Sequence, residues 1–188
     1  RRIAERLLLF EAVSPYATAY RPGGSTLINA SVHVGKRTLL KLDIFHFFDG
    51  IIYPLVKEKV FPPETYAEHL RILLTLLCMY RDVLPQGAPT SPAISNIIMR
   101  DFDDAVGTWC QQRGISYTRY CDDMTFSGDF APEPVIDLVR AELRKLGLLL
   151  NERKTTVVYK GQRKIVTGIV VNEKVNIAAA YKRQIRQE

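Results

Sequence analysis

The sequence has little cysteine and no long apolar run. Its three cysteines, Cys78, Cys110 and Cys121, are widely spaced and form no CxxC pair, so neither a disulfide framework nor a zinc site is predicted. The longest apolar run, residues 70–79, contains Arg71 and falls short of the ~20 residues that cross a bilayer. The first residues also lack the pattern of a secretion signal. These absences favour a cytoplasmic protein with free thiols and no membrane partner.

Internal repeats, low-complexity tracts and Gly/Ser linkers are missing as well, so the 188 residues predict one folded unit. The formal net charge is +6, and basic residues gather toward the two ends of the chain. Such a charge suits a polyanionic partner, because the neutralisation of phosphates releases condensed counterions. Charge alone leaves open a solvated basic surface that binds nothing.

Hydrophobic periodicity and turn residues predict the order of the elements. Helices are expected at residues 2–13, 64–80, 91–113 and 133–146, and strands at 38–44, 115–120, 124–127, 148–150, 155–159, 165–171 and 174–177. Leucines at helical spacing make the second helix a core helix, and Ser91 is expected to cap the third, with Pro92 in its first turn. This order predicts an α+β fold with helices packed against one antiparallel sheet.

Acidic residues occur as two adjacent pairs. Asp103-Asp104 lies inside the third helix, where a solvated polar face is the expected role. Asp122-Asp123 lies at the tip of a predicted hairpin, and Asp43 ends another buried strand of the same sheet. Adjacent carboxylates repel each other unless a cation lies beside them.

Carboxylates that converge in this way suit Mg²⁺, which prefers oxygen ligands and keeps waters and substrate phosphates in its shell. Two such ions ~3.5–4 Å apart activate an attacking hydroxyl and stabilise a leaving oxygen. The residues alone therefore predict phosphoryl or nucleotidyl transfer, and they leave nuclease, polymerase and cyclase chemistry open.

Longer motifs resemble those of reverse transcriptases. Residues 120–123 (YCDD) are similar to the family's signature of tyrosine, a variable residue and two aspartates, and residues 42–49 (LDIFHFFD) resemble its first catalytic motif. Between them, residues 84–92 (LPQGAPTSP) resemble the motif that contacts template and incoming nucleotide. Residues 147–155 look like the fourth motif, and residues 166–177 look like the primer grip. The resemblance runs from about residue 17 to residue 177.

Two shorter motifs favour the bacterial retron type over the group II intron type of reverse transcriptase. Residues 29–33 (NASVH) resemble the retron NAxxH element, and residues 166–168 resemble the VTG triplet. In that family the VTG region is associated with recognition of a cognate structured RNA. The retron resemblance also implies an effector protein and a role in antiviral defence.

The resemblance implies an RNA-directed DNA polymerase that uses two Mg²⁺ ions, for which Mn²⁺ can substitute, an RNA template, a DNA or RNA primer and dNTPs. The implied site residues are Asp43, Asp122, Asp123 and the backbone carbonyl of Ile44 for metal, Lys154 as proton donor to pyrophosphate, Phe48, Gln86 and Gly87 for the nucleotide, and Tyr120, Val166, Thr167, Gly168, Asn29 and His33 for primer or RNA.

Several of these positions carry alternatives. Gln86 could belong to a plain Pro/Gly turn, and Lys154 could be a surface lysine that merely pairs with a phosphate. Phe48, five residues after Asp43, would exclude a ribose 2′-hydroxyl, although plain core packing beside Phe47 is the rival interpretation. Arg119 and Tyr120 point to opposite faces of one strand, so one of them is expected to face nucleic acid.

The resemblance divides the chain into the end of a fingers region at residues 1–36, a palm at residues 37–178 and the start of a link to a thumb at residues 179–188. Complete fingers and thumb are not recognisable, which leaves the activity of the chain as given open. The alternatives are a catalytically incomplete palm that only binds nucleic acid, and RNA-dependent RNA synthesis.

Overall fold

The computed structural model describes residues 1–9 and 11–177, so the predicted link at residues 179–188 lies outside the described part. Its elements, in chain order, are a π-helical turn at Ala4–Leu8, α1 (Thr26–Ser31), β1 (Thr38–Phe45), α2 (Phe47–Gly50), α3 (Tyr53–Val60), α4 (Glu68–Cys78), α5 (Ser91–Gln111), β2 (Ser116–Tyr120), β3 (Asp123–Gly128), α6 (Pro132–Lys145), β4 (Leu149–Leu150), a 3₁₀ turn at Glu152–Lys154, β5 (Thr156–Val158), β6 (Ile165–Val166), β7 (Ile169–Val170) and β8 (Asn176–Ile177).

Strand β1 is the centre of the main sheet. The strand order is β2-β3-β1-β4, and β5 pairs with the first half of β1. All of these pairings are antiparallel, and the β1–β3 register places Asp43 directly opposite Asp123. The predicted α+β class is therefore confirmed, and the register brings two of the predicted acids together.

The two faces of β1 meet different surroundings because side chains alternate along a strand. Leu40, Leu42 and Ile44 belong to the main hydrophobic core, which the helices α3, α5 and α6 complete. Leu39 faces the other way, into a small second cluster with Ala30, Val166 and Val171. Asp43 has the same parity as Leu39, so it lies on the face away from the main core.

Three predictions about local structure are wrong. The first helix extends over Ala4–Leu8 as a π-helical turn, within the wider predicted range of 2–13. The predicted strand at 165–171 is two strands, because Thr167 (φ +45°) and Gly168 (φ +83°) turn the chain back on itself. Ser91 begins α5 without capping it, and its hydroxyl donates to the carbonyl of Pro85 at 2.6 Å. That bond connects the helix to the loop before it.

Helix α4 is not the core helix that its leucines predicted. Leu73 is 51% exposed and Leu77 is 64% exposed, whereas Arg71, Thr75 and Cys78 lie on the buried side. The cause is polar: Arg71 donates to the carbonyl of Phe61 at 2.7 Å and forms ion pairs with two glutamates. These bonds hold α4 against α3 with the arginine inward. Leu70, Leu73 and Leu77 therefore face outward, whereas Leu74 packs against the main core.

Within residues 1–9 and 11–177, no helix has both the length and the apolar character that a membrane span requires. All three cysteines are free thiols, as predicted.

The outward leucine stripe makes a stability prediction. Leu77→Lys should change the free energy of unfolding by no more than ~0.5 kcal/mol, because the side chain is already in water. Ile98→Ala, at a fully buried position of α5, should cost roughly 2–5 kcal/mol through lost contacts and a cavity. Urea unfolding of the two variants checks this. Equal destabilisation would mean that the leucine stripe is packed in solution.

Candidate functional site

Asp43 anchors the predicted acidic site. Its carboxylate is nearly buried and accepts hydrogen bonds from Asn151 Nδ2 at 2.9 Å and from Lys154 Nζ at 2.8 Å. The backbone N–H of Asn151 also donates to the Asp43 carbonyl at 2.8 Å. The segment after β4 therefore wraps the end of β1 and brings the candidate proton donor Lys154 to this carboxylate.

The other two acids lie at a two-residue hairpin turn, Asp122 in the turn and Asp123 as the first residue of β3. Tyr120 pairs with Asp123, which leaves Cys121 and Asp122 as the turn, and Cys121 has a φ of +61°. Both turn carbonyls are held by the protein. Arg119 Nη1 donates to the Cys121 carbonyl at 2.8 Å, and the Ile44 N–H donates to the Asp122 carbonyl at 3.2 Å. The turn is thus fixed from its own strand and from β1.

The charges of the three acids act on one another. Burial raises the pKa of Asp123, and the negative charges of Asp122 and Asp43 raise it further. The hydrogen bond and charge of Asp43 raise the pKa of Lys154, so this lysine stays protonated. Negative charge is therefore concentrated at this point, and Lys154 compensates part of it.

A cleft of about 330 Å³ opens beside these acids. Its lining residues are Asp43, Ile44, Phe45, His46, Phe47, Phe48, Gln86, Asp122, Asn151 and Lys154. Phe47 is buried in the core, whereas Phe48 is only half-buried and contributes to the wall of the cleft. Gly87, next to Gln86, has a φ of +82° and open space where a side chain would begin. The predicted nucleotide-binding residues thus gather at one place.

The carboxylate oxygens at this site suit a hard cation whose remaining coordination positions stay open to water or substrate. Within the described residues, no group of three or more His, Cys, Asp and Glu side chains forms a preformed metal cage. The site instead offers Asp43 and Asp122 on a cleft wall and Asp123 opposite Asp43. Mg²⁺ suits such a site, because it is usually held by one or two carboxylates together with substrate phosphates.

Asp103 contradicts its predicted role. Asp103 and Arg119 are both 0% exposed and form an ion pair at 2.6 Å, so Asp103 is not a solvated residue. Of Arg119 and Tyr120, one of which was expected to face nucleic acid, Arg119 is excluded by its burial. Asp104, by contrast, is exposed and accepts from Ser14 Oγ at 2.6 Å. One signal for this pair was available in the sequence: Asp103 falls on the same helical stripe as Phe102 and Val106, where an acid needs a buried partner.

Asn29 and His33 are buried side chains and do not offer the direct RNA contact that was predicted. The His33 ring bonds Ser127 Oγ and Thr118 Oγ1, each at 2.7 Å, and Asn29 accepts from Thr18 at 2.9 Å. Burial prevents contact with a ligand. His33, just after α1, bonds β2 and β3 directly, whereas Asn29 of α1 bonds Thr18, whose hydroxyl in turn donates to the Arg119 carbonyl of β2.

The three residues of the VTG triplet, which were predicted to contact RNA, differ in their exposure. Val166 is 0% exposed and belongs to the second core cluster, whereas Gly168 is exposed at the tip of the β6–β7 turn. Thr167 is half-buried, and its hydroxyl donates to the Thr26 carbonyl at 3.3 Å. Tyr120 is half-buried beside the acidic turn.

Residues 1–178 match the family model described as "Reverse transcriptase (RNA-dependent DNA polymerase)". The chain belongs to the reverse transcriptase family. It is 33% identical to the retron Ec86 reverse transcriptase of Escherichia coli, over 92% of this chain and 55% of that protein. It is 32% identical to the retron Mx65 reverse transcriptase of Myxococcus xanthus, over 99% of this chain and 48% of that protein. The retron resemblance is thereby confirmed.

Solved structures with the same fold include telomerases. A Candida albicans telomerase in complex with a fragment of telomeric RNA superposes with a TM-score of 0.59 at 12% identity, over 94% of this chain and 37% of that one. An apo telomerase from Candida tropicalis gives 0.57 at 12% identity, over 81% of this chain and 38% of that one. These likenesses confirm the polymerase palm fold. The chain spans about half the length of the curated relatives cited here.

Burial of His33 predicts a pH-dependent stability. Burial, with a smaller contribution from the charge of Lys36, lowers the pKa of His33 to about 4, while the unfolded value is about 6.5. Between these values the unfolded chain binds a proton that the folded chain does not. His33 therefore makes its full contribution to the free energy of unfolding above pH 6.5. This contribution falls by up to roughly 3 kcal/mol as the pH is lowered toward 4.

His33→Gln removes this titration. We expect its stability deficit relative to the wild type to be larger at pH 7.5 than at pH 4.5 in urea unfolding. A deficit that does not change with pH would show that His33 titrates normally in the folded protein.

Proposed function

We propose that this region is the catalytic centre of an RNA-directed DNA polymerase that transfers nucleotides from dNTPs to a primer hydroxyl by a two-metal mechanism. The observation that carries the proposal is the convergence of Asp43, Asp122 and Asp123 beside a cleft that Phe48 and Gln86 also line. Membership of the reverse transcriptase family supports it. Nuclease or cyclase chemistry, which the acids alone left open, gains no such support.

In this mechanism Asp43 and Asp122 would hold the metal ions, with Asp123 alongside, and the Ile44 carbonyl would be a further oxygen ligand. Bound Mg²⁺ supplies activation of the primer hydroxyl and neutralisation of charge on the phosphates. Lys154 carries a proton that pyrophosphate can accept, because its raised pKa keeps it charged beside the cleft. Its present partner, Asp43 Oδ2, becomes free when Lys154 turns toward the leaving group.

Two positions favour contacts with nucleotide and template. Phe48 packs against the main core and also lines the cleft near Asp43, where it would exclude a ribose 2′-hydroxyl. Gln86 is exposed on the cleft wall and can hydrogen-bond a base edge, and the open backbone at Gly87 admits close approach. These features support deoxynucleotide selection in preference to RNA synthesis.

The positive net charge and the similarity to retron reverse transcriptases support RNA partners. A net charge of +6 favours a polyanion, and the retron-type relatives support a cognate structured RNA in addition to template and primer. Gly168 and Tyr120 remain the accessible candidates for such contacts, because Val166, Asn29 and His33 are buried. An effector protein and a cytoplasmic location remain predictions.

Asp122→Asn tests the proposed chemistry. In the protein at its full natural length, we expect primer extension on an RNA template to fall at least about 100-fold, because a metal ligand loses its charge. Asp104→Asn is the matched control, since it alters an exposed member of the other Asp-Asp pair and should leave the rate unchanged. RNA binding without extension by the wild type would instead favour the catalytically incomplete palm.

Phe48→Ala tests sugar selection. Removing the ring should lower the preference for dNTPs over rNTPs by roughly 10- to 100-fold, the size expected when a steric contact in a pocket is lost. Single-nucleotide incorporation kinetics with both sugars measure it, and Tyr159→Ala changes an exposed aromatic residue outside the cleft as a control. An unchanged preference would assign Phe48 to core packing.

A further inference from the structure

We infer that Arg119 is a positioning residue, which holds the acidic turn in the shape that binds metal through its hydrogen bond to the Cys121 carbonyl. The inference rests on the proposed function, since it assigns Arg119 a role in that same site. Arg119 does not touch the cleft, and its effect passes through the turn backbone.

The first observation is that every nitrogen of the Arg119 guanidinium group has a hydrogen-bond acceptor inside the protein. Its Nε and Nη2 bond the Asp103 carboxylate at 2.6–3.1 Å, Nη2 also bonds Asn96 Oδ1 at 3.2 Å, and Nη1 bonds the Cys121 carbonyl at 2.8 Å. The side chain is 0% exposed. The contact to the turn therefore cannot exchange with water.

The second observation is that the position of this guanidinium group is set from α5. Asp103 and Asn96 both lie on that helix. Asp103 also accepts from Tyr117 at 2.7 Å, and Asn96 also donates to the Ala19 carbonyl at 2.9 Å. Each partner of Arg119 thus has a second anchor, so Arg119 transmits the position of a 21-residue helix to the turn.

The third observation is the backbone of the turn itself. Cys121 has a φ of +61°, a region that residues with a β-carbon seldom occupy unless their surroundings hold them there. Arg119 holds the carbonyl of this residue, and Ile44 holds the next carbonyl, that of Asp122. Because both peptide groups are fixed, the directions in which the Asp122 and Asp123 side chains leave the backbone are fixed as well.

The geometry requires arginine rather than any cation. A planar fork reaches the Asp103 carboxylate with one edge and the Cys121 carbonyl with another nitrogen, whereas lysine offers one compact ammonium group. Arg119→Lys should therefore retain the charge opposite Asp103 and lose the bond to the turn. This substitution separates the positioning role from the ion pair.

The experiment uses the protein at its full natural length and three readouts: Mn²⁺ affinity by electron paramagnetic resonance, kcat for primer extension, and the thermal unfolding midpoint. Arg71→Lys is the matched control. Like Arg119, Arg71 is a buried arginine that bonds a carboxylate and a backbone carbonyl. Its two glutamate partners and its carbonyl acceptor lie on α3, α4 and the loop between them, away from the turn.

For Arg119→Lys we expect Mn²⁺ affinity and kcat each to fall about 10- to 100-fold, the range found when groups that orient metal ligands are lost. Arg71→Lys should lower the unfolding midpoint by about as much as Arg119→Lys does, and it should leave Mn²⁺ affinity and kcat unchanged. Wild-type affinity in Arg119→Lys, or an equal loss in Arg71→Lys, would overturn the inference.

Asp103→Asn provides a second test if Arg119→Lys fails to fold, because it keeps the side-chain volume and removes the charge that orients the guanidinium group. We expect a smaller fall in Mn²⁺ affinity in the same direction, and an unchanged affinity would again overturn the inference.

Failure of the proposed function is distinguishable from failure of this inference. If the wild type binds Mn²⁺ through Asp122 but does not extend a primer, the polymerase proposal fails, while Mn²⁺ affinity still decides the role of Arg119. If Asp122→Asn leaves Mn²⁺ binding unchanged, both proposals fail.

Discussion

The buried ion pair between Arg119 and Asp103 is the constraint on which the arrangement of this protein depends. Two charges removed from water are tolerated only when their hydrogen bonds are complete, because desolvation otherwise exceeds their attraction. Here Tyr117, Asn96 and the Cys121 carbonyl complete them. The pair joins α5 to β2, so it fixes how this 21-residue helix lies against the β2–β3 hairpin.

From that placement the sheet acquires two unlike faces. The main core covers the face that carries Leu40 and Leu42, and the other face carries Asp43 at the end of β1. A small cluster around Leu39 covers the beginning of that second face, which leaves its far end open beside the cleft. At that end the Asp43 carboxylate accepts a hydrogen bond from Lys154, whose positive charge compensates part of the negative charge of the acids.

Sequence reasoning succeeded where local pattern and site coincide and failed where polar groups are buried. The placement of Asp43 at a strand end and of Asp122 and Asp123 at a hairpin tip was predicted correctly, because strand ends and hairpin tips can be recognised from alternation and turn residues. The leucines of α4 were misplaced because periodicity identifies an apolar stripe but not which side of the helix has a partner. Arg71 determines that side through bonds to α3 and to the Phe61 carbonyl.

By itself, then, the sequence determined the family, the α+β class and the identity of the acids, since these follow from short motifs and residue spacing along the chain. Only the tertiary structure decided that Asp103 and Arg119 are a buried pair, that His33 and Asn29 are structural, and that Phe48 is more exposed at the cleft than Phe47, which is buried. Burial depends on contacts between residues far apart in the chain. A charged side chain, an imidazole or an aromatic ring takes its role from those contacts. The spacing of residues along the chain does not encode the contacts.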